Sequence, residues 1–132
     1  MMTPELLVLA LGAVLLVVHV MVAVHAKTKQ YGVEWNMGAR DEEKGSLGEI
    51  PGRLERASEN FRETFPVAIV AFAGLAIAGK GTDLTAIAAW VWLGARVIYL
   101  PIYWAGIPKI RTAIWAVSLL ALLYALGVLI LG

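Results

Sequence analysis

The sequence contains no cysteine. This absence excludes a disulfide framework, a thiolate metal site and a cysteine nucleophile. Any thiol chemistry at this protein would therefore use a thiol that a ligand supplies. The sequence also has no Gly-rich phosphate loop, no metal-ligand motif and no nucleophile elbow, so it gives no support for nucleotide binding or for the common hydrolytic mechanisms.

Charged residues are scarce as well. Only 16% of the 132 residues are charged, whereas 60% are hydrophobic and the mean hydropathy is +0.76. These values exclude an ordinary soluble domain and indicate a membrane protein. The formal net charge of +1 is uninformative as a total, but the distribution of the charges is informative.

Long hydrophobic runs are what the sequence does have. A helix needs about 20 apolar residues to cross the hydrocarbon core, and three segments meet this length, at about 4–26, 83–105 and 108–131. The remaining apolar run, residues 65–78, is too short alone, but it becomes long enough if its helix begins near Leu54 and spans about 54–79. The first run carries Glu5, has no basic leader and is as long as a spanning helix, so we interpret it as a retained span rather than a signal peptide. We expect an all-α integral membrane protein, with residues 1–132 forming a single four-helix domain and residues 27–53 a polar loop.

Basic residues predict the orientation of the bundle. They are concentrated in the first and third connections, as Lys27, Lys29, Arg40, Lys44, Arg53 and Arg56, and as Lys109 and Arg111. The second connection has only Lys80. By the positive-inside rule, loops 27–53 and 105–109 are cytoplasmic and both termini lie on the opposite side. The short chain and the lack of organelle signals favour a bacterial inner membrane, with periplasmic termini.

Polar residues of three predicted helices converge on one layer in the cytoplasmic half of the bundle. The helical spacing places each of the first two sets on one face of its helix, and the third set begins the fourth helix at the same level. The sets are Arg56, Asn60 and Glu63 on the second helix, Arg96, Tyr99 and Tyr103 on the third, and Arg111 and Thr112 at the start of the fourth. Such a convergence within a membrane span predicts a binding site.

Each of these residues also has a simpler interpretation. The charges from Arg56 to Glu63 are equally consistent with a solvated helix start that is stabilised by ion pairs. Arg96 lies roughly 20 Å into its helix at 1.5 Å per residue, so it either extends to the headgroups or meets an inward partner, for which Glu63 is the candidate. Tyr99 and Tyr103 fit an aromatic belt as well as a site. For His19 we expect an interhelical hydrogen bond.

The motifs "ERASENFRETFPV" (55–67), "RVIYLPIY" (96–103) and "GIPKIRTAIW" (106–115) together resemble the MAPEG family, the membrane-associated proteins in eicosanoid and glutathione metabolism. The resemblance covers essentially the whole chain. Its most specific part is R-x-x-x-N-x-x-E before an aromatic-proline pair. The resemblance implies a homotrimer with glutathione bound between neighbouring subunits.

The resemblance also implies roles for the individual residues. Arg111 is expected to stabilise the glutathione thiolate, and Tyr103 to contact glutathione as a hydroxyl donor. The other implied glutathione-binding residues are Arg56, Asn60, Glu63, Arg96, Tyr99, Thr112 and Lys27. At the cytoplasmic end of the first helix, where the eicosanoid enzymes have an arginine, this chain offers Lys27 and Lys29, and a lysine lacks the bidentate fork that suits a carboxylate.

Two functions follow from these expectations. The first is a glutathione-dependent transferase or peroxidase that acts on hydrophobic electrophiles or hydroperoxides reaching it from the lipid. The second is a non-catalytic protein of the same scaffold that binds a lipid or another anion. Both place the protein in a lipid bilayer, with a hydrophobic small molecule as substrate or ligand and no nucleic acid as partner.

Overall fold

The computed structural model describes residues 2–132 and is all-helical over that range. Its helices are α1 (Pro4–Tyr31), α2 (Val33–Met37), α3 (Glu49–Ala78), α4 (Asp83–Ala105) and α5 (Pro108–Leu131). α3 contains a π-helical segment, Ile69–Ala73. The four helices other than α2 are long and apolar enough to cross a membrane. This confirms the prediction of an all-α membrane protein with four spans.

Two helices are longer than the sequence pattern predicted. α1 continues past Ala26 to Tyr31 and ends where Gly32 takes a φ of 102°. α3 begins at Glu49 rather than near Leu54. Its first turns are polar overall, but they bury Gly52, Leu54 and Ala57 against the neighbouring helices, and this packing outweighs their low hydropathy. The segment 27–53 is therefore only partly loop.

The helix starts follow from capping. The backbone N–H of Leu6 donates to the hydroxyl of Thr3 at 3.3 Å, and Pro4 occupies the first helical position. At the start of α4, Thr82 and Thr85 form a reciprocal capping box, with N–H donors to hydroxyl oxygens at 2.7 and 3.2 Å.

A buried carboxylate ties the starts of α1 and α4 together. Glu5 is only 3% exposed, and one of its oxygens accepts a hydrogen bond from the Thr85 hydroxyl at 2.8 Å. Because Thr85 belongs to the capping box, this bond fixes the first turn of α1 against the beginning of α4.

The core is aromatic and lies between α1, α3 and α4. The rings of Phe61 and Phe65 stack at 5.3 Å between centroids, and Trp92 lies 6.1 Å from each. Gly12 of α1 faces this cluster, and a Cβ there would lie 2.9 Å from the ring of Phe65. The glycine therefore lets α1 approach the aromatic rings closely.

His19 lies at the edge of this core. Its ring stacks on Phe61 with a centroid distance of 4.9 Å, and neither ring nitrogen has a hydrogen-bond partner among the described residues. The predicted interhelical hydrogen bond of His19 is therefore wrong: the imidazole is held by ring stacking.

The outer faces of the long helices are apolar and exposed. Val14 and Met21 of α1, Ile77 of α3 and Leu120 of α5 are examples. Such faces are covered by lipid or by other subunits in a membrane. α1, α3 and α4 pack together, while α5 lies along α4 and the last turns of α3. We call the end of the bundle that carries residues 32–48 and the turn at Gly106 the loop end.

Candidate functional site

Two adjoining cavities open at the loop end, between α3, α4 and α5. The outer cavity, of about 200 Å³, is lined by Arg53, Arg56, Tyr103, Gly106, Ile107, Pro108 and Arg111. The inner cavity, of about 130 Å³, is lined by Asn60, Tyr99, Arg111, Thr112 and Trp115. It lies deeper in the bundle, because Asn60 is one turn farther along α3 than Arg56. Arg111 lines both cavities.

The convergence predicted from helical spacing is thus present for part of the set. The predicted residues that line one cavity or the other are Arg56, Asn60, Tyr99, Tyr103, Arg111 and Thr112. Glu63, Arg96 and Lys27 line neither cavity.

Tyr103 joins two arginines that come from different helices. Its hydroxyl accepts a hydrogen bond from Nε of Arg56 at 3.2 Å. The guanidinium carbon of Arg111 lies 4.6 Å from the centroid of the Tyr103 ring, in a cation–π contact. The ring of Tyr99 meets that of Tyr103 edge to face at 5.5 Å. These contacts hold α3, α4 and α5 together around the rings of Tyr99 and Tyr103.

Arg96 is buried next to the inner cavity, with 1% of its surface exposed. Its Nη1 donates to the side-chain oxygen of Asn60 at 2.9 Å. Its guanidinium carbon lies 4.3 Å from the Tyr99 ring centroid and 5.1 Å from that of Phe61. Nε and Nη2 have no hydrogen-bond partner among the described residues. The inward orientation expected from its depth is therefore present.

The prediction that Glu63 is the partner of Arg96 is wrong. Glu63 is exposed and forms no ion pair or side-chain hydrogen bond among the described residues. The reason is the rotation of α3 about its axis. At about 100° per residue, Glu63 lies about 60° around the helix from Asn60. α3 presents Asn60 to α4, so that amide takes the position that the carboxylate was expected to occupy.

Lys27 and Thr112 make local contacts. The ammonium of Lys27 lies 3.0 Å from a carboxylate oxygen of Glu55, and both side chains are about three-quarters buried. This ion pair fixes the end of α1 to α3, outside the two cavities. The hydroxyl of Thr112 donates to the carbonyl of Pro108 at 3.0 Å, so it satisfies a backbone acceptor in the first turn of α5.

The site also contains Arg53 and Trp115, which were not predicted from the sequence. Arg53 lines the outer cavity, and its Nη1 donates to the carbonyl of Trp104 at 3.3 Å. Trp115 lines the inner cavity. Both are spaced so as to share a face with a predicted site residue, Arg53 three residues before Arg56 and Trp115 four residues after Arg111. That spacing was the signal that could have identified them.

The two cavities differ in chemistry. Three guanidinium groups, from Arg53, Arg56 and Arg111, face the outer cavity, and no carboxylate is among its lining residues. This arrangement suits an anion. The inner cavity has aromatic rings from Tyr99 and Trp115 beside the Asn60 amide. In residues 2–132 no group of acidic or imidazole side chains is placed to hold a metal ion. The outer cavity therefore suits an anion, whereas the inner cavity combines aromatic rings with the polar side chains of Asn60, Thr112 and Arg111.

Comparison with known proteins gives one match. The family model described as the MAPEG family matches residues 5–131. No curated protein and no solved structure matches the chain. The matched range includes all four spans and every residue that lines the two cavities. The chain is thus a member of the MAPEG family, the membrane-associated proteins in eicosanoid and glutathione metabolism.

Proposed function

We propose that the protein is a glutathione-dependent transferase or peroxidase that acts on hydrophobic electrophiles or hydroperoxides. The observation that carries the proposal is the position of Arg111, which lines both the outer cavity, beside Arg53 and Arg56, and the inner cavity, beside Tyr99 and Trp115. A ligand whose charged part occupies the outer cavity places its reactive atom beside Arg111, within reach of an apolar molecule in the inner cavity.

The role proposed for Arg111 is to stabilise the thiolate. A free thiol has a pKa near 8.5, so it is mostly protonated at neutral pH. A guanidinium within a few ångströms favours the anion, more strongly where water is excluded. A decrease of about two pKa units, equivalent to about 2.7 kcal/mol, makes the thiolate the main form at pH 7. The chain has no cysteine, so the thiol must belong to the ligand.

The other residues are proposed to hold the peptide. Arg56 has its Nε on the Tyr103 hydroxyl, which leaves its two terminal nitrogens to bind a carboxylate. Asn60 is held by Arg96 at the side of the inner cavity. Glu63 is exposed one turn beyond Asn60 and is proposed to bind the ammonium group of glutathione. Once bound, the thiolate sulfur forms a bond to an electrophilic carbon, and the leaving group departs with its electron pair.

A homotrimer is part of the proposal. Each cavity is smaller than the roughly 300–1,000 Å³ typical of a small-molecule site, and both open at the surface of the single chain. A neighbouring subunit that covers this opening would enclose the ligand. The exposed apolar faces of α1 and α5 offer the surface for such contacts. The basic residues at the loop end favour a cytoplasmic site in a bacterial inner membrane.

The proposal is tested with detergent-solubilised protein. Glutathione is titrated while the ultraviolet absorbance of the thiolate is followed, with S-methylglutathione as the control that cannot ionise at sulfur. Conjugation of chlorodinitrobenzene is then measured for the wild type and for Arg111→Ala. We expect saturable binding, a thiolate signal that Arg111→Ala loses, and a lower conjugation rate in that variant. No binding at millimolar glutathione would refute the proposal.

One observation favours the alternative function, a non-catalytic protein that binds a lipid or another anion. Of the two lysines at the position implied for the first helix, Lys27 is paired with Glu55, and neither Lys27 nor Lys29 lines the cavities. Native mass spectrometry of the purified protein distinguishes the two functions. A co-purified lipid that glutathione fails to displace, together with no conjugation activity, would establish the alternative.

A further inference from the structure

Arg53 is held in a defined position at the mouth of the outer cavity. Its Nη1 donates to the carbonyl of Trp104 at 3.3 Å, and its guanidinium lies over Gly106, the residue that ends α4. A Cβ built on Gly106 would lie 2.6 Å from the guanidinium carbon of Arg53. Gly106 also has a φ of +75°, which favours glycine. Only a glycine at this turn allows the Arg53 guanidinium to occupy its place.

The charge of Arg53 is balanced only weakly among the described residues. Its nearest anion is the carboxylate of Glu49, at 3.7 Å, and the side chain of Glu49 is 87% exposed. An ion pair this long and this exposed contributes little. Arg56 and Arg111, which line the same cavity, form no ion pair among the described residues. Three like charges around one cavity repel one another until an anion binds there.

The order of the residues along α3 assigns an orientation to the ligand. Arg53 lies nearest the loop end, Arg56 one turn deeper, and Glu63 about 15 Å from Arg53 at 1.5 Å per residue. An extended tripeptide spans about 10 Å, so it is shorter than this separation by about 5 Å, a distance that the long side chains of arginine and glutamate can cover. If Glu63 binds the ammonium at one end of glutathione, the opposite end of the peptide lies toward Arg53.

We infer that Arg53 binds the glycine carboxylate of glutathione and so determines selectivity for thiols that carry a carboxylate at that end. The inference rests on the proposed glutathione site. It assigns one anionic group of the ligand to each guanidinium: the thiolate to Arg111, one carboxylate to Arg56 and the glycine carboxylate to Arg53. Arg53 acts on binding and specificity, while the ionisation of the thiol depends on Arg111.

The test compares two ligands with three proteins. The ligands are glutathione and its monoethyl ester at the glycine carboxylate, which differ by one negative charge. The proteins are the wild type, Arg53→Gln and Arg62→Gln, a matched control because Arg62 is exposed on the same helix and lines neither cavity. We expect the wild type and Arg62→Gln to prefer glutathione over the ester by about tenfold or more. Arg53→Gln should lose that preference, with unchanged affinity for the ester and an unchanged thiolate signal at saturation.

Two further variants address the geometry. Arg53→Lys keeps the charge without the planar fork and should retain only part of the preference. Gly106→Ala should displace the guanidinium and reduce the preference while leaving Arg53 in the sequence. Two results with Arg53→Gln would overturn the inference. The variant would either still prefer glutathione over the ester, or lose affinity for both ligands equally.

The outcome can be separated from a failure of the proposed function. If the wild type binds neither ligand, glutathione is not the ligand, and the same preparations are tested with inorganic sulfate by thermal unfolding. Stabilisation of the wild type and of Arg62→Gln, but not of Arg53→Gln, would support Arg53 as an anion-binding residue. Equal stabilisation of all three proteins, or none, would refute that role.

Discussion

Arg96 of α4 donates a hydrogen bond of 2.9 Å to the side-chain oxygen of Asn60 on α3, at a depth where only 1% of Arg96 is exposed. A buried guanidinium is costly unless its donors are satisfied. Among the described residues this is the only hydrogen bond of the Arg96 side chain: Nε and Nη2 have no partner, and the guanidinium carbon lies over the rings of Phe61 and Tyr99. The stability of the α3–α4 contact and the position of Asn60 at the inner cavity therefore depend on the same bond.

Asn60→Ala should destabilise the protein by about 1–3 kcal/mol, because it leaves a buried charged donor without its acceptor. The measurement is the thermal unfolding midpoint in detergent. Glu59→Gln is the matched control, since Glu59 is exposed on the adjacent position and makes no side-chain hydrogen bond or ion pair among the described residues. If both variants unfold at the wild-type temperature, the Arg96–Asn60 bond contributes nothing to stability.

The thiol of bound glutathione should titrate well below its free pKa of about 8.5. The direction follows from charge: the Arg111 guanidinium stabilises the anion, so the proton is released at lower pH. The thiolate absorbance of the complex, measured against pH, gives the midpoint. Arg111→Ala should raise the midpoint back toward the free value, and Arg111→Lys should restore part of the decrease. A midpoint that is the same in all three proteins would exclude this role for Arg111.

Tyr103→Phe should weaken glutathione binding about three- to tenfold with little effect on stability. The variant removes the hydroxyl that accepts from Nε of Arg56 but keeps the ring on which the Arg111 guanidinium lies. A single hydrogen bond contributes about 0.5–1.5 kcal/mol. Tyr124→Phe, on an exposed position of α5 in the opposite half of the bundle, is the control. Unchanged affinity in Tyr103→Phe would show that the hydroxyl does not position Arg56.

Gly12→Ala should destabilise the bundle by about 1–3 kcal/mol through overpacking. The added Cβ would meet the Phe65 ring at 2.9 Å and the Trp92 ring at 3.1 Å. Gly94→Ala is the matched control, because it also lies in a spanning helix but has no atom within 4 Å of its built Cβ. The control should be neutral or slightly stabilising. Equal midpoints for the two variants would mean that α1 does not approach the aromatic core this closely.

The hydrogen bond between Thr85 and Glu5 should be measurable by a double-mutant cycle of Glu5→Met and Thr85→Val. We expect a coupling of about 1–3 kcal/mol, the range for a hydrogen bond to a charged group. The cycle is needed because Thr85→Val alone also removes part of the cap of α4. Additive effects of the two substitutions would show that the buried carboxylate does not fix α1 to α4.

The spans and most of the site layer could be predicted from the sequence, because they depend on properties of single helices. Length and hydropathy identify a span, and the Thr3–Pro4 and Thr82 caps fix where α1 and α4 begin. The spacing of Arg56 and Asn60, or of Tyr99 and Tyr103, is a property of one helix too. These local patterns were enough to bring six predicted residues to adjoining cavities.

The contacts between helices could not be predicted in the same way. Whether Asn60 or Glu63 meets Arg96 depends on the rotation of α3 about its axis, which the packing of Phe61 and Phe65 on Trp92 determines. The same is true of Lys27, because its contact with Glu55 depends on how the end of α1 packs against the start of α3. His19 was misassigned because an imidazole can stack on a ring as well as donate a hydrogen bond.

The π-helical segment Ile69–Ala73 affects which side chains of α3 face the neighbouring helices. A π turn holds about one residue more than an α turn, which changes the phase of the helix by about 100°. The π segment therefore allows the half of α3 that carries Arg53, Arg56 and Asn60, which the packing of Phe61 and Phe65 on Trp92 orients, to face α4 and α5 while the half after Ala73 keeps its own packed face. Deleting one residue there would allow a continuous α-helix and turn all three side chains away from α4 and α5. Such a deletion would remove no polar residue and leave the hydropathy almost unchanged, yet it would dismantle the cavity.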